Sequence, residues 1–321
     1  MERTDRTTGE SGRGPGDPSG GLSAAVQALR AGDLLILPTE TVYGLAADAG
    51  NAAAVARIFE AKGRPRFNPL ISHVFDAAAA EAIAVFDDTA RALADAFWPG
   101  PLTIVAASRP GAVCDLARAG LDSVAVRVPG HPVAREVLAA FGGPVVAPSA
   151  NRSGRPSPTI LADAVEETGR FAAAALDGGA CAVGVESTVV SVLEGGVALL
   201  RPGAVTREQI EGLVGGLHDD AQGHRSPGRQ TTHYAPDAPV RIEATAAGDG
   251  EILLGFGPGV GEARWSLSPA GDLREAAANL FRLLREADRE RPTGIAVAPV
   301  PGTGLGEAIN DRLRRAAGFV G

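Results

Sequence analysis

The chain has 321 residues, 45% of them hydrophobic, 21% charged and 4% aromatic, with a net charge of -8 and a pI near 5.2. That balance describes a soluble globular protein long enough for two domains, and it argues against one that coats nucleic acid nonspecifically. No apolar run approaches the roughly 18 residues of a membrane span, and Cys114 and Cys181 lack a CxxC or histidine partner, as expected of small buried hydrophobes in a reducing, cytoplasmic compartment.

Residues 1–21, rich in Gly, Thr, Ser, Arg and Asp without an apolar core, read as a disordered tail and not as a signal peptide. From Leu22 to Arg30 the spacing predicts a helix stopped by Gly32, and LLIL at 34–37 reads as a short buried strand. Helical patterns recur at 51–61, 76–84, 88–97 and 131–141, with the strand-like runs LISHV, LTIVAA, SVAVRV and PVVAP between them. Such alternation predicts an α/β domain whose sheet is buried on both faces. STVVSVL and VALLR add a hairpin through Glu194, Gly195 and Gly196. Residues 211–238 change to Gly, His, Asp, Arg, Ser and Pro, the composition of a linker. Beyond it VRIEA, EILLGF, an amphipathic helix over 273–289, GIAVAPV and a helix near 306–317 make a second α/β unit. The expected organisation is a tail over 1–21, a main domain over 22–210, a linker or lid over 211–238 and a smaller domain over 239–321.

Chemistry-bearing residues gather at strand ends, where open α/β sheets bind ligands. Pro38 stops LLIL, and Thr39, Glu40, Thr41 and Tyr43 follow. KGRPRFNPLISH brings Lys62, Arg64, Arg66, Asn68 and His73 together with no acid among them, a donor set suited to a polyanion. Lys62 is the one lysine among thirty basic residues, and its compact ammonium suits a single phosphate or carboxylate oxygen. Arg127 lies inside an apolar strand, so it either makes a structural ion pair or clamps an anionic group. PVVAPSANRSGRPSPT offers Ser149, Asn151, Ser153 and Ser157 in a turn suited to a sugar or phosphates. Glu186 and Ser187 stand at a strand entry, and Arg201 ends the run VALLR. No P-loop, nucleophile elbow or zinc-protease signature is present.

Taken in order, PTETVYGL, KGRPRFNPL, FWPGPLT, VAVRVP, PSANRSGRPSPT, VESTVV and LLRPGA, spread over about residues 22–205, resemble the YrdC/Sua5 family. SPGRQTTHYAP and the unit after it resemble the two-domain Sua5 form. The resemblance implies an α/β fold: a YrdC-like twisted mixed sheet with helices around a basic cavity, plus a smaller Rossmann-like C-terminal domain. It implies an L-threonylcarbamoyladenylate synthase, a nucleotidyltransferase making threonylcarbamoyl-AMP and pyrophosphate from L-threonine, bicarbonate and ATP for the modification of adenosine 37 in tRNA. Mg²⁺ would join the ATP, with no protein side chain assigned to it. L-Threonine would meet Thr41, His73, Arg127, Ala147 and Ser187, and ATP would meet Arg64, Asn68, Ser123, Ser149, Asn151, Ser157, Arg201 and Tyr234. Lys62 and Arg64 would be catalytic. The product would pass to a downstream threonylcarbamoyl transferase, without tRNA contact being required. Arg229 stands where the family's linker often has methionine. A YrdC-like carbamoyltransferase is disfavoured because cysteine-rich fingers are absent and too little chain follows residue 240 for a kinase-like domain. A noncatalytic RNA-binding factor is disfavoured by the acidic balance and the few aromatics.

Overall fold

The computed structural model describes residues 18–193, 195–219, 233–260 and 262–319. In the first unit, α1 (Pro18–Arg30), β1 (Leu34–Leu37), β2 (Gly44–Asp48), α2 (Ala52–Lys62), β3 (Ile71–His73), α3 (Ala77–Ile83), β4 (Ala84–Val85), α4 (Asp88–Phe97) and β5 (Leu102–Ser108) come first. They are followed by β6 (Ser123–Arg127), α5 (Pro132–Phe141), β7 (Val145–Val146), α6 (Leu161–Thr168), β8 (Ala172–Ala175), β9 (Thr188–Ser191), β10 (Ala198–Arg201), α7 (Arg207–Val214) and β11 (His218–Asp219). The second unit comprises β12 (Val240–Arg241), β13 (Glu251–Phe256), β14 (Ser266–Ser268), α8 (Leu273–Arg289), β15 (Gly294–Val297) and α9 (Leu305–Ala316).

The first eleven strands form one mixed sheet in the order β11-β10-β9-β5-β6-β3-β7-β2-β1-β8, with β4 paired to β5. Period-two alternation sorts its side chains. Leu34 and Ile36 join Ile58 and Phe59 of α2 in the main core, while Leu35 and Leu37 pack with Ala25 and Leu29 of α1 and Val137 of α5. Helix ends follow local chemistry. Asn51 caps α2 by accepting from the N–H groups of Ala53 and Ala54, and Asp87 caps α4 by accepting from Ala90. The second sheet is parallel, in the order β12-β15-β13-β14.

Four features depart from the reading of the sequence. Helix α1 starts at Pro18, so it takes in the last four residues assigned to the tail; residues 1–17 lie outside the described ones. PTETVYGLAADA contains a strand, β2, antiparallel to β1, which GLAAD conceals because it lacks β-branched residues. The alanine run of β8 pairs parallel with β1 although its composition reads as helix. Helix α7 and strand β11 occupy the start of the expected linker, because Thr206 and Gln209 close a capping box and β11 pairs with β10. Residues 220–232 of the linker, Arg229 among them, lie outside the described residues.

The units meet over apolar and ionic surface. Val42 and Val185 of the first pack with Tyr234, Leu280 and Phe281. Gly184, at φ +76°, passes so close to α8 that an added Cβ would lie 2.3 Å from Ala278 Cα. Arg285 donates to Glu167 at 3.1 Å, Arg289 to Asp163 at 2.5 Å, and Arg207 to Glu307 at 2.8 Å. No helix among the described residues is long and apolar enough to cross a membrane.

Candidate active site

A pocket opens over one face of the large sheet, lined by residues from Thr41 to Tyr234. Its apolar lining comes from Val42, Pro69, Leu70, Ile71, Ala147 and Pro148; on the same sheet face Ile71 packs with Val105, Ala125, Val189 and Leu200. On β6, Ala125 and Arg127 are two residues apart and so share a face, and β3 repeats the arrangement with Ile71 and His73, paired in register to those two. The same alternation puts Ser123 on that face about 13 Å from Arg127, at the opposite end of the strand.

Arg127 is 3% exposed, and its Nη2 makes an ion pair but no hydrogen bond. Its Nε donates to Gly100 O at 3.1 Å, Nη1 donates to Thr41 Oγ1 at 3.0 Å, and Nη2 sits 2.7 Å from Glu40 Oε1. The sequence left an ion pair and an anion clamp open for this residue; the ion pair is present, with Glu40, and Arg127 also lines the cavity. Glu40 Oε1 accepts in addition from Gly130 N–H. Burial pushes the Glu40 carboxyl up, but the Arg127 charge and the Gly130 N–H outweigh it and hold it below 4.5.

Lys62 departs from expectation. It ends α2 almost fully buried, and its Nζ donates to the backbone carbonyls of Ser149 and Asn151, behind the loop and outside the cavity lining. Burial, reinforced by the Arg64 charge, lowers its pKa well below the usual lysine range. Its observed task is to hold the 149–151 loop against α2. Arg64, beyond the helix stop, lines the cavity and donates to Pro69 O at 3.2 Å. Burial lowers the Arg64 guanidinium to about 10, which leaves it cationic at neutral pH.

Arg201 reaches the cavity through a bulge. Leu199 pairs with Val190 and Arg201 with Val189, so the register shifts between them. Leu200 and Arg201 thereby both turn toward the cavity side, where strict alternation would have returned Arg201 to the core. Arg201 Nη2 donates to Ser187 O at 2.9 Å and Ser187 Oγ at 3.2 Å, and that hydroxyl is 2.8 Å from Thr103 Oγ1.

The roof comes from residues near the end of the linker. Tyr234 is 1% exposed, has a left-handed backbone at φ +64°, packs 5.3 Å from the Phe281 ring and lines the cavity beside His233. His233 meets Tyr234 edge to face at 3.9 Å between ring centres. Burial pushes both His73 and His233 down to about 3, so each imidazole is neutral at physiological pH.

Of the residues singled out from the sequence, Thr41, Arg64, His73, Arg127, Ala147, Ser149, Ser187, Arg201 and Tyr234 line one cavity. Lys62, Asn68, Ser123, Asn151 and Ser157 do not. Asn151 Nδ2 is spent on the carbonyls of Arg152 and Arg155, and Ser157 Oγ on Glu186 at 2.6 Å. Asn68 and Asn151 each keep a buried Oδ1 without a hydrogen-bond partner. His233 and Glu186 belong to the lining but were not assigned a ligand; both stand inside quoted motifs, HYAP and VESTVV, beside residues that were.

A cation-lined cavity on a twisted mixed sheet, closed by His233 and by a Tyr234 that packs on a parallel α/β unit, defines a two-domain α/β protein built to take an anionic small molecule. The family model Sua5_yciO_yrdC, described as telomere recombination, matches residues 27–203, and the model described as the threonylcarbamoyl-AMP synthase C-terminal domain matches 205–318. The threonylcarbamoyl-AMP synthases of Bacillus subtilis and Pyrococcus abyssi are each 39% identical to the chain, covering 92% and 91% of it and 93% and 92% of their own lengths. The crystal structure of P. abyssi Sua5 complexed with L-threonine superposes with a TM-score of 0.85 at 36% identity, over 93% of this chain and 94% of that one. The chain belongs to the Sua5/YrdC family, in its two-domain form.

Proposed function

We propose that the chain is a threonylcarbamoyl-AMP synthase, a nucleotidyltransferase of the cytoplasm that condenses L-threonine, bicarbonate and ATP with release of pyrophosphate, for threonylcarbamoylation of tRNA. The observation that carries this reading is the division of the cavity into two polar regions. At one end Arg127, Thr41 and neutral His73 converge, a set that suits an amino acid: the guanidinium for a carboxylate, the imidazole as acceptor for an amine. At the other, Arg64, Arg201 and Ser149 suit phosphates, and Tyr234 offers a ring face to a base.

The chemistry asks little of side-chain nucleophiles. The threonine amine, having lost its ammonium proton, adds to the bicarbonate carbon and a C–O bond breaks to expel water, giving a carbamate; the carbamate oxygen then attacks the α-phosphorus as pyrophosphate leaves. The residues hold the two substrates in line and neutralise phosphate charge in a site shielded from water. Magnesium would arrive on the nucleotide, held by phosphate oxygens: among the described residues the lining has one acidic side chain, Glu186, and both its oxygens are engaged. The adenylate would pass to a separate threonylcarbamoyl transferase.

The test is pyrophosphate release by the purified protein with MgATP, L-threonine and bicarbonate. Release that needs all three supports the reading. No release, or release indifferent to threonine, rejects it.

A further inference from the structure

Two backbone segments that carry lining residues run side by side at the edge of the cavity: Glu186–Ser187, entering β9, and Arg201–Pro202, leaving β10. They touch directly. A Cβ added at Gly203 would lie 2.4 Å from Thr188 N and 2.5 Å from Glu186 O, so only glycine permits the approach. Within the first unit, Arg201 ties the segments on the cavity side by donating to Ser187.

The far side is tied from the other unit. Arg312, in the middle of α9, has no exposed surface. Its Nε donates to Glu186 Oε2 at 3.0 Å and its Nη1 donates to Pro202 O at 2.5 Å and to its neighbour Asp311 at 3.0 Å, so one guanidinium holds both segments while Asp311 shares its charge. Its guanidinium carbon lies 5.6 Å from the centre of the ring of Tyr234, a lining residue. The second Glu186 oxygen accepts from Ser157. Among the described residues Glu186 is the sole acidic side chain of the lining, and it sits next to Ser187. A carboxylate there repels a polyphosphate unless a cation offsets it, and the repulsion is strong in so dry a setting.

We propose that Arg312 is a positioning residue for the nucleotide region: the second unit uses it to cancel the charge of Glu186 and to fix the segment bearing Arg201. The inference rests on reading the cavity as an ATP site. It also gives the second unit a task in the reaction without a ligand of its own.

The experiment titrates the full chain, by calorimetry, with α,β-methylene-ATP plus Mg²⁺ and separately with L-threonine. For Arg312→Met the analogue should bind about tenfold more weakly or worse, with threonine affinity changed less than about threefold. Adding Glu186→Gln to that variant should restore most of the loss, because the charge left stranded is then gone. Equal losses for both ligands, or no recovery in the double variant, would overturn the proposal. If Arg312→Met does not fold, Glu186→Gln alone decides: unchanged or tighter analogue binding supports a charge-cancelling role, and weaker binding rejects it. A wild-type protein that binds neither ligand instead rejects the ATP-site reading, whereas wild-type binding with unresponsive variants removes Arg312 only.

Discussion

Lys62 spends its ammonium on two carbonyl oxygens, so its loss should be felt first by the 149–151 loop. Lys62→Met leaves both carbonyls without that donor, at about 1–3 kcal/mol each, and urea unfolding should show a clearly lower midpoint. An unchanged midpoint with turnover abolished would return Lys62 to the phosphates. The histidines make a pH prediction. His73 and His233 are held near 3 against an ordinary 6.5, so between those values the unfolded chain binds protons that the folded chain refuses. Stability should therefore fall as pH drops from 6.5, by up to ~1.4 kcal/mol per pH unit for each histidine. Glu40 and Glu186, held below 4.5, add their loss only further down. Denaturation midpoints that stay level between pH 6.5 and 5 would refute this. The sequence revealed that Arg127 needs a counterpart, and it did not reveal which. Glu40 is 87 positions away, and only the packing of the β1–β2 connection beside β6 brings the two together.

At the scale of elements, strands and helices with strong periodicity were legible to within a residue or two: EILLGF is β13 and the long amphipathic pattern is α8. What escaped was backbone detail set by pairing. The shift in β10 that turns Arg201 toward the cavity follows from its register with β9 and leaves no mark in the run VALLR. Strand β2 hides in residues of low strand propensity because its neighbours β1 and β7 supply the partners. Gly203 joins these levels. Gly203→Ala must part β9 from β10 at the point where Ser187 and Arg201 meet, and overpacking of this kind costs roughly 1–3 kcal/mol. Thermal melting should drop, and the affinity for ATP should fall with it. Wild-type values of both would mean that the segments can separate freely.

For the molecule as a whole, the second unit is bound to the first through arginines paired with buried carboxylates. Asp163 and Glu167 are 1% and 6% exposed, and their partners Arg289 and Arg285 both come from α8. Cutting the chain after Val205 would strand those carboxylates and uncover Val42 and Val185. The shortened protein should melt at lower temperature or aggregate, and a soluble fragment with the full-length melting temperature would show the units to be independent. Charge composition carries one more consequence. With twenty-nine arginines and a single, buried lysine, the folded chain is nearly blank to amine-acylating reagents, apart from its terminal amine. Acylation at residue 62 then counts the moments when the loop lets go of α2, so a common labelling reagent read by mass spectrometry becomes a clock for the opening of this site.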